Sequence, residues 1–231
     1  MTNSVKKIEP IVYVVDDDSQ ACRAVAELVH AFGYQVRIFE SPTEFLSSID
    51  DTRPGCVILD VRPPDIDGME VHQRLLQRGA ALPVIILTAF ASTPFTVRSL
   101  RNGAITVLDK PFRDDELWGY LQEGLQRSEQ EHRRNLHLSS LECRLRKLAL
   151  QDRSVLKLML DGLKNRSIAK RLEVSLRTVE NRRRRIFQVM HADSVAQLTR
   201  MVVEYEHNLM PSSGKQESWL TLWFDKEKIA C

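Results

Sequence analysis

Apolar residues follow two regimes along the chain. Up to about residue 113 they come in short runs: IVYVV at 11–15, YQVRIF at 34–39, GCVILD at 55–60, LPVIILT at 82–88 and ITVLD at 105–109. Runs without polar alternation predict strands buried on both faces, and the amphipathic stretches between them are long enough for crossover helices. Helix starts carry their own signals. Ser41-Pro42 with Glu44 sets out an N-cap, a first-turn proline and a capping-box acid, and Asp67 with Glu70 repeats the box. Asp114-Asp115-Glu116 charges another first turn favourably. The pattern predicts an α/β doubly wound domain, whose ligands belong at the carboxyl ends of its strands.

From Asp114 to about Leu148 the chain reads as one long helix. Leu117, Leu121, Leu125, His132, Leu136, Leu141, Leu145 and Leu148 form a heptad-like stripe that breaks around Ser128 and Asn135. Such a stripe serves either a coiled-coil dimer seam or a helix packed on its own domain. Residues 149–206 then predict four short helices. Gly162 ends one, Asn165 and Ser175 cap the next two, and Ser194 with Gln197 boxes the last. Beyond Glu206, PSSGK breaks the helix. WLTLWF at 219–224 either covers an apolar surface or forms a loose extension.

Composition bounds the function. With 231 residues and 43% apolar content, two ordinary globular domains are expected. No run of eighteen apolar residues occurs and MTNSVKKIEP lacks a signal-peptide h-region, so a cytoplasmic protein without membrane partners is expected. Cys22, Cys56, Cys143 and Cys231 lack C-x-x-C spacing and suggest neither a disulfide framework nor a zinc site. The net charge of +2 conceals a division: residues 1–130 carry −6 and residues 131–231 carry +8. The C-terminal part is the one suited to a polyanion, and in a cytosolic protein such a basic half favours nucleic acid.

Three carboxylates fall at predicted strand ends: Asp16 and Asp17 follow IVYVV, and Asp60 follows CVIL. Parallel strands share one carboxyl edge, so these acids crowd and repel. The usual relief is a hard divalent cation such as Mg²⁺. A carboxylate at such an ion is a credible nucleophile toward phosphorus. Thr88, ending the fourth run, can hydrogen-bond a phosphoryl oxygen, and Lys110, after the fifth, can pair with phosphate.

In the basic half, residues 150–200 hold 12 Lys and Arg against 5 Asp and Glu, with Arg182-Arg183-Arg184-Arg185 the densest run. Four consecutive helical residues face every side, so at least one of these arginines must lie along the core. Val179, Ile186 and Met190 recur on one face of a helix over 176–190. Arg177, Asn181, Arg184, Arg185 and Gln188 occupy the opposite one, which mixes charge with an amide able to read adenine edges.

The order V-V-D-D, I-L-D-V-R-x-P-D-x-D-G, I-I-L-T-A and L-D-K-P-F resembles the receiver domain of two-component response regulators, over residues 8–127. The stretch A-S-T-P-F-T-V-R-S-L-R-N-G-A at 91–104 is similar to the FixJ subgroup. The resemblance implies a flavodoxin-like fold with Asp60 as phosphoacceptor. It puts Asp16, Asp17, Asp60 and the backbone carbonyl of Arg62 at Mg²⁺, Thr88 as signal-sensing hydroxyl and Lys110 as phosphate partner. D-G-L-K-N-R-S-I-A-K-R-L-E-V-S-L-R-T-V-E-N resembles the LuxR-type helix-turn-helix, over 148–206. That implies Glu180, Asn181 and Arg184 at base edges, with Lys164, Arg177, Thr178 and Arg182 near phosphates. Residues 128–147 would be a helical linker and 207–231 a C-terminal extension.

Several positions depart from these patterns. Pro63 stands where Met is usual before Pro64, and Val107 where an aromatic switch residue is usual. A β-branched valine has little reach, so coupling from Thr88 must use other parts. The customary L-T-P-R-E opening reads L-A-L-Q-D at 148–152, and Arg182 replaces a customary His.

The combined expectation is a DNA-binding transcription factor whose only chemistry is gain and loss of phosphoryl at Asp60. Its partners are a sensor histidine kinase, double-stranded DNA, a second copy on activation, and RNA polymerase at the promoter. Three rivals remain: a DNA-binding regulator independent of phosphorylation, a phosphoryl sink or kinase-binding adaptor without DNA binding, and, ranked last because no separate acid/base pair stands out, a phosphatase of related fold. The second predicts no salt-dependent DNA affinity.

Overall fold

The computed structural model describes residues 8–50, 52–61, 67–77 and 82–209. The chain divides into two units, Met1–Arg134 and Asn135–Cys231.

The first unit alternates strand and helix: β1 Ile11–Val15, α1 Ser19–Ala31, β2 Gln35–Phe39, α2 Pro42–Ser48, β3 Gly55–Asp60, α3 Asp67–Gln77, β4 Val84–Thr88, α4 Thr93–Arg101, β5 Thr106–Asp109 and the start of α5, Asp114–Arg146. All strand pairs are parallel, in the order β2-β1-β3-β4-β5. Strand side chains alternate between two cores. Tyr13, Val15, Val57, Leu59 and Ile86 meet Phe45 of α2, Leu75 of α3 and Phe95 of α4 on one face. Val12, Val14, Ile58, Ile85 and Leu87 meet Val25 of α1 and Leu117 and Leu121 of α5 on the other.

The three central runs are buried on both faces as their composition predicts. β2 differs: Gln35, Arg37 and Ile38 are exposed, because β2 is an edge strand with a neighbour on one side only. β5, at the other edge, is only partly covered.

Ser41 caps α2 by accepting from the Glu44 N–H, with Pro42 opening the helix. The box of Asp67 with Glu70 rests on side chains outside those described.

The stripe on α5 is two packing faces rather than one seam. Leu117, Leu121 and Leu125 belong to the core of the first unit, Leu141 and Leu145 to that of the second, and Leu136 is 51% exposed. Ser128, at the break in the repeat, is buried and accepts from Gly55 N at 2.9 Å, satisfying the first amide of β3. At Gly124 a Cβ would lie 2.7 Å from Ile105 Cδ1 and 2.9 Å from Cys56 Sγ, so a larger residue would have to displace those side chains or the helix.

The second unit adds α6 Leu150–Leu160, α7 Asn165–Arg171, α8 Leu176–Met190 and α9 Val195–Leu209 to the end of α5. Val155, Leu156, Ile168, Val179, Ile186, Met190, Leu198 and Val202 form its core. Gly162 follows α6 at φ +78° and Ser175 caps α8 through Thr178 N. Asn165 does not cap α7. It is the first helical residue, and Lys164 holds the cap position without a side-chain bond. Ser194 accepts from Gln197 N at 3.2 Å, but the Gln197 side chain accepts from Asp193 N rather than closing on Ser194.

Two arginines close helix ends, where carbonyls lack intrahelical donors. Arg153, 6% exposed, donates through Nε to Leu148 O at 2.9 Å and through Nη2 to Arg146 O at 3.3 Å, past the end of α5. Arg144 donates to Met190 O at the end of α8.

Candidate metal centre and nucleic-acid interface

The sheet order reverses between β1 and β3, so the strands' carboxyl ends open a crevice there, as this topology requires. Asp16, Asp17 and Asp60 meet at that edge. A carboxylate oxygen from each lies within 4.8 Å of the others, with Asp16 buried, Asp60 half-buried and Asp17 exposed. Asp16 is oriented locally: its Oδ1 accepts from Asp18 N at 2.9 Å. Asp18 caps α1, accepting from Gln20 N and Ala21 N, a role that the Asp-Ser-Gln pattern at 18–20 signals.

Lys110 answers the crowded charge. Its Nζ lies 2.6 Å from Asp60 Oδ1 and 3.0 Å from Asp16 Oδ2. Burial acts to lower the ammonium pKa, but hydrogen bonds and charges from Asp60 and Asp16 outweigh it and hold the pKa above its ordinary value. β4 and β5 bring Thr88 opposite Asp109, and Lys110 N donates to Thr88 O at 2.7 Å. Thr88 is fully buried and its Oγ1 accepts from Phe90 N at 3.2 Å. Asp109 Oδ1 accepts from Ala91 N at 3.0 Å. The loop between β4 and α4 is thus held from both strands, while its Phe90 is 70% exposed. These loop bonds are invisible to strand patterning. Val107, paired with Ile86 on β4, is half-buried and packs against the core of that sheet face without aromatic reach.

Three hard oxygen donors converging beside one ammonium fit a divalent cation of the Mg²⁺ kind. Arg62, whose carbonyl is expected there, lies outside the described residues, as do Pro63 and Pro64.

On the second unit, Arg177, Glu180, Asn181 and Arg184 are exposed on α8, and Lys164 is exposed before α7. The Thr178 hydroxyl shares a 2.8 Å hydrogen bond with Ser175 Oγ. Arg182 and Arg185 turn toward α6: Arg182 Nη2 donates to Gln151 Oε1 at 2.9 Å, and Arg185 Nε lies 3.4 Å from Asp152 Oδ2. Arg183 lies 5.9 Å from the Phe187 ring centroid, the arginine that snorkels along an apolar side chain. Periodicity alone misses Gln151 and Asp152, which belong to another helix.

Residues 12–122 match the response regulator receiver domain family, and residues 146–202 match the bacterial regulatory proteins of the luxR family. The response regulator protein TmoT of Ectopseudomonas mendocina is 32% identical, the match covering 87% of this chain and 91% of TmoT. The transcriptional regulatory protein FixJ of Azorhizobium caulinodans is 34% identical over 83% of this chain and 91% of its own. A low-resolution structure of the response regulator StyR superposes with a TM-score of 0.79 at 31% identity, covering 85% of this chain and all of that one. Among the described residues no helix is long and apolar enough to cross a membrane.

Proposed function

The chain belongs to the response regulators that join a receiver to a LuxR-type DNA-binding domain, and from that premise we propose that phosphorylation of Asp60 sets its affinity for DNA. It is a transcription factor, not an enzyme acting on a separate substrate, and its class implies a histidine kinase and DNA as partners. The observation that carries the site assignment is the convergence of Asp16, Asp17 and Asp60 at one sheet edge, with Lys110 bridging Asp16 and Asp60.

In this reading Asp60 attacks a phosphohistidine or a small phosphodonor, forming a carboxyl–phosphorus bond as the donor's bond to phosphorus breaks. A Mg²⁺ ion held by Asp16, Asp17, Asp60 and the Arg62 carbonyl would neutralise charge on the transferring group. Lys110, already 2.6 Å from Asp60, follows the new phosphoryl oxygens as a fixed cation. Thr88 turns its hydroxyl to the phosphoryl group and releases Phe90 N, so the loop between β4 and α4 carries the signal that Val107 is too short to carry. The modified chain pairs with a second copy on a two-fold DNA site and contacts RNA polymerase there. Lys164, Arg177, Thr178, Arg182 and Arg185 hold phosphates, while Glu180, Asn181 and Arg184 face base edges. The assigned segments are 8–127, 128–147, 148–206 and 207–231, for receiver, linker, DNA-binding domain and extension.

Intact-mass measurement tests the chemistry. Incubation with a small phosphodonor and Mg²⁺ is expected to add one phosphoryl group to the wild type and none to Asp60→Asn. Equal uptake by both overturns the assignment. Light scattering tests the pairing, which an unchanged monomer mass after full phosphorylation overturns.

A further inference from the structure

Successive helical positions turn by 100°, so Arg182–Arg185 cannot share one environment. With Val179, Ile186 and Met190 on the core, the outermost positions are Arg177, Asn181, Arg184 and Gln188, all exposed. Arg183 and Phe187 occupy one flank. Arg182 and Arg185, three residues apart, occupy the other, and both meet the start of α6.

The contacts on that flank differ in kind. Arg182 donates through Nη1 to the Gln151 carbonyl at 3.3 Å and through Nη2 to its Oε1 at 2.9 Å. Arg185 faces a carboxylate: Asp152 has a side chain 5% exposed, and its Oδ2 accepts no hydrogen bond from the described residues but lies 3.4 Å from Arg185 Nε. A buried carboxylate without a countercharge is costly, so Asp152 holds Arg185 in place. Engagement through Nε leaves both terminal nitrogens of Arg185 able to donate outward, and the Arg185 side chain is 59% exposed. Arg184 meets no partner among the described residues.

We propose that Gln151 and Asp152 are positioning residues for DNA recognition: through Arg182 and Arg185 they fix a two-arginine phosphate clamp on one flank of α8 and leave Arg184 to read a base. This sorting rests on the DNA-binding reading above. It explains how four adjacent arginines can carry sequence preference rather than a diffuse positive charge. A clamp fixed before contact loses less side-chain freedom on binding than four mobile arginines would.

The test is an anisotropy titration of the full chain against duplexes that the wild type selects from a random-sequence pool. The variants are Asp152→Asn, Arg185→Ala, their double, Gln151→Ala and Arg184→Ala. Removing a negative charge beside DNA would by itself tighten binding, whereas loss of positioning weakens it. Asp152→Asn is expected to weaken binding to all duplexes by about 3- to 10-fold, with no further loss in the Arg185→Ala background. Gln151 is exposed, so Gln151→Ala spares the core and is expected to weaken binding about 3-fold without reordering the duplexes. Arg184→Ala is expected to flatten preference at one base position. Tighter or unchanged binding by Asp152→Asn, an equal loss with and without Arg185, or a uniform loss from Arg184→Ala overturns the sorting alone. A wild type that binds no duplex overturns the DNA-binding reading and the sorting with it.

Discussion

The receiver pocket and the α8 surface concentrate charge in opposite ways. In the receiver, strand ends bring three acids within 4.8 Å, and one lysine bridges two of them. On α8, charge is spread over a helix face, and its order comes from a second helix whose Gln151 and Asp152 hold two of the arginines. Positions set by backbone topology can be read from residue type and place. Positions set by a neighbouring helix's side chains cannot, because periodicity within one helix says which way a residue points but not what waits there.

The largest effect that sharpens this contrast is complete: Asp60→Ala is expected to abolish phosphoryl uptake while leaving basal DNA binding measurable, since the chemistry rests on one carboxylate. On the α8 side, charge shared over many contacts predicts a graded response. If six or more phosphates are contacted, wild-type affinity should fall by about 10³-fold or more between 50 and 200 mM salt. A titration insensitive to salt would mean that α8 does not meet a polyanion.

The same contrast extends to stability. Arg153→Ala removes a buried cation from the Leu148 and Arg146 carbonyls and is expected to cost the second unit about 3 kcal/mol in chemical denaturation. Gly124→Ala drives a methyl against Ile105 and Cys56 and is expected to cost the first unit roughly 1–3 kcal/mol. Each change should shift one transition. A single merged transition that moves under both would mean the units do not unfold separately. Smaller still is the effect of the ion: at ten times its dissociation constant, Mg²⁺ should stabilise the first unit by about 1.4 kcal/mol, and Asp17→Asn should diminish that gain.

Much of this was legible in the chain. Short runs rich in apolar residues marked the five strands, and Asp16, Asp17, Asp60, Thr88 and Lys110 stood at or just after their carboxyl ends. Exposure of β2 was legible only in part: Gln35 and Arg37 interrupt YQVRIF and are exposed, whereas the exposure of Ile38 follows from the edge position and has no mark in the run. Ser128 looked like a break in a leucine stripe, and its bond to Gly55, 73 positions away, explains the break. Asn165 is a good capping residue placed one position too late. The pairing of Arg185 with Asp152 depends on how α6 crosses α8, a tertiary fact that no local signal encodes. The loop bonds from Phe90 to Thr88 and from Ala91 to Asp109 are hidden for the same reason.

If the acidic edge of one unit governs DNA binding by the other, the control is visible on titrating selected duplex DNA with the full chain, with and without a small phosphodonor and Mg²⁺, for the wild type and for Asp60→Ala. The phosphodonor is expected to tighten binding by the wild type and to leave Asp60→Ala unchanged. Equal affinity in all four titrations would contradict this and leave a DNA-binding protein whose receiver does not control it.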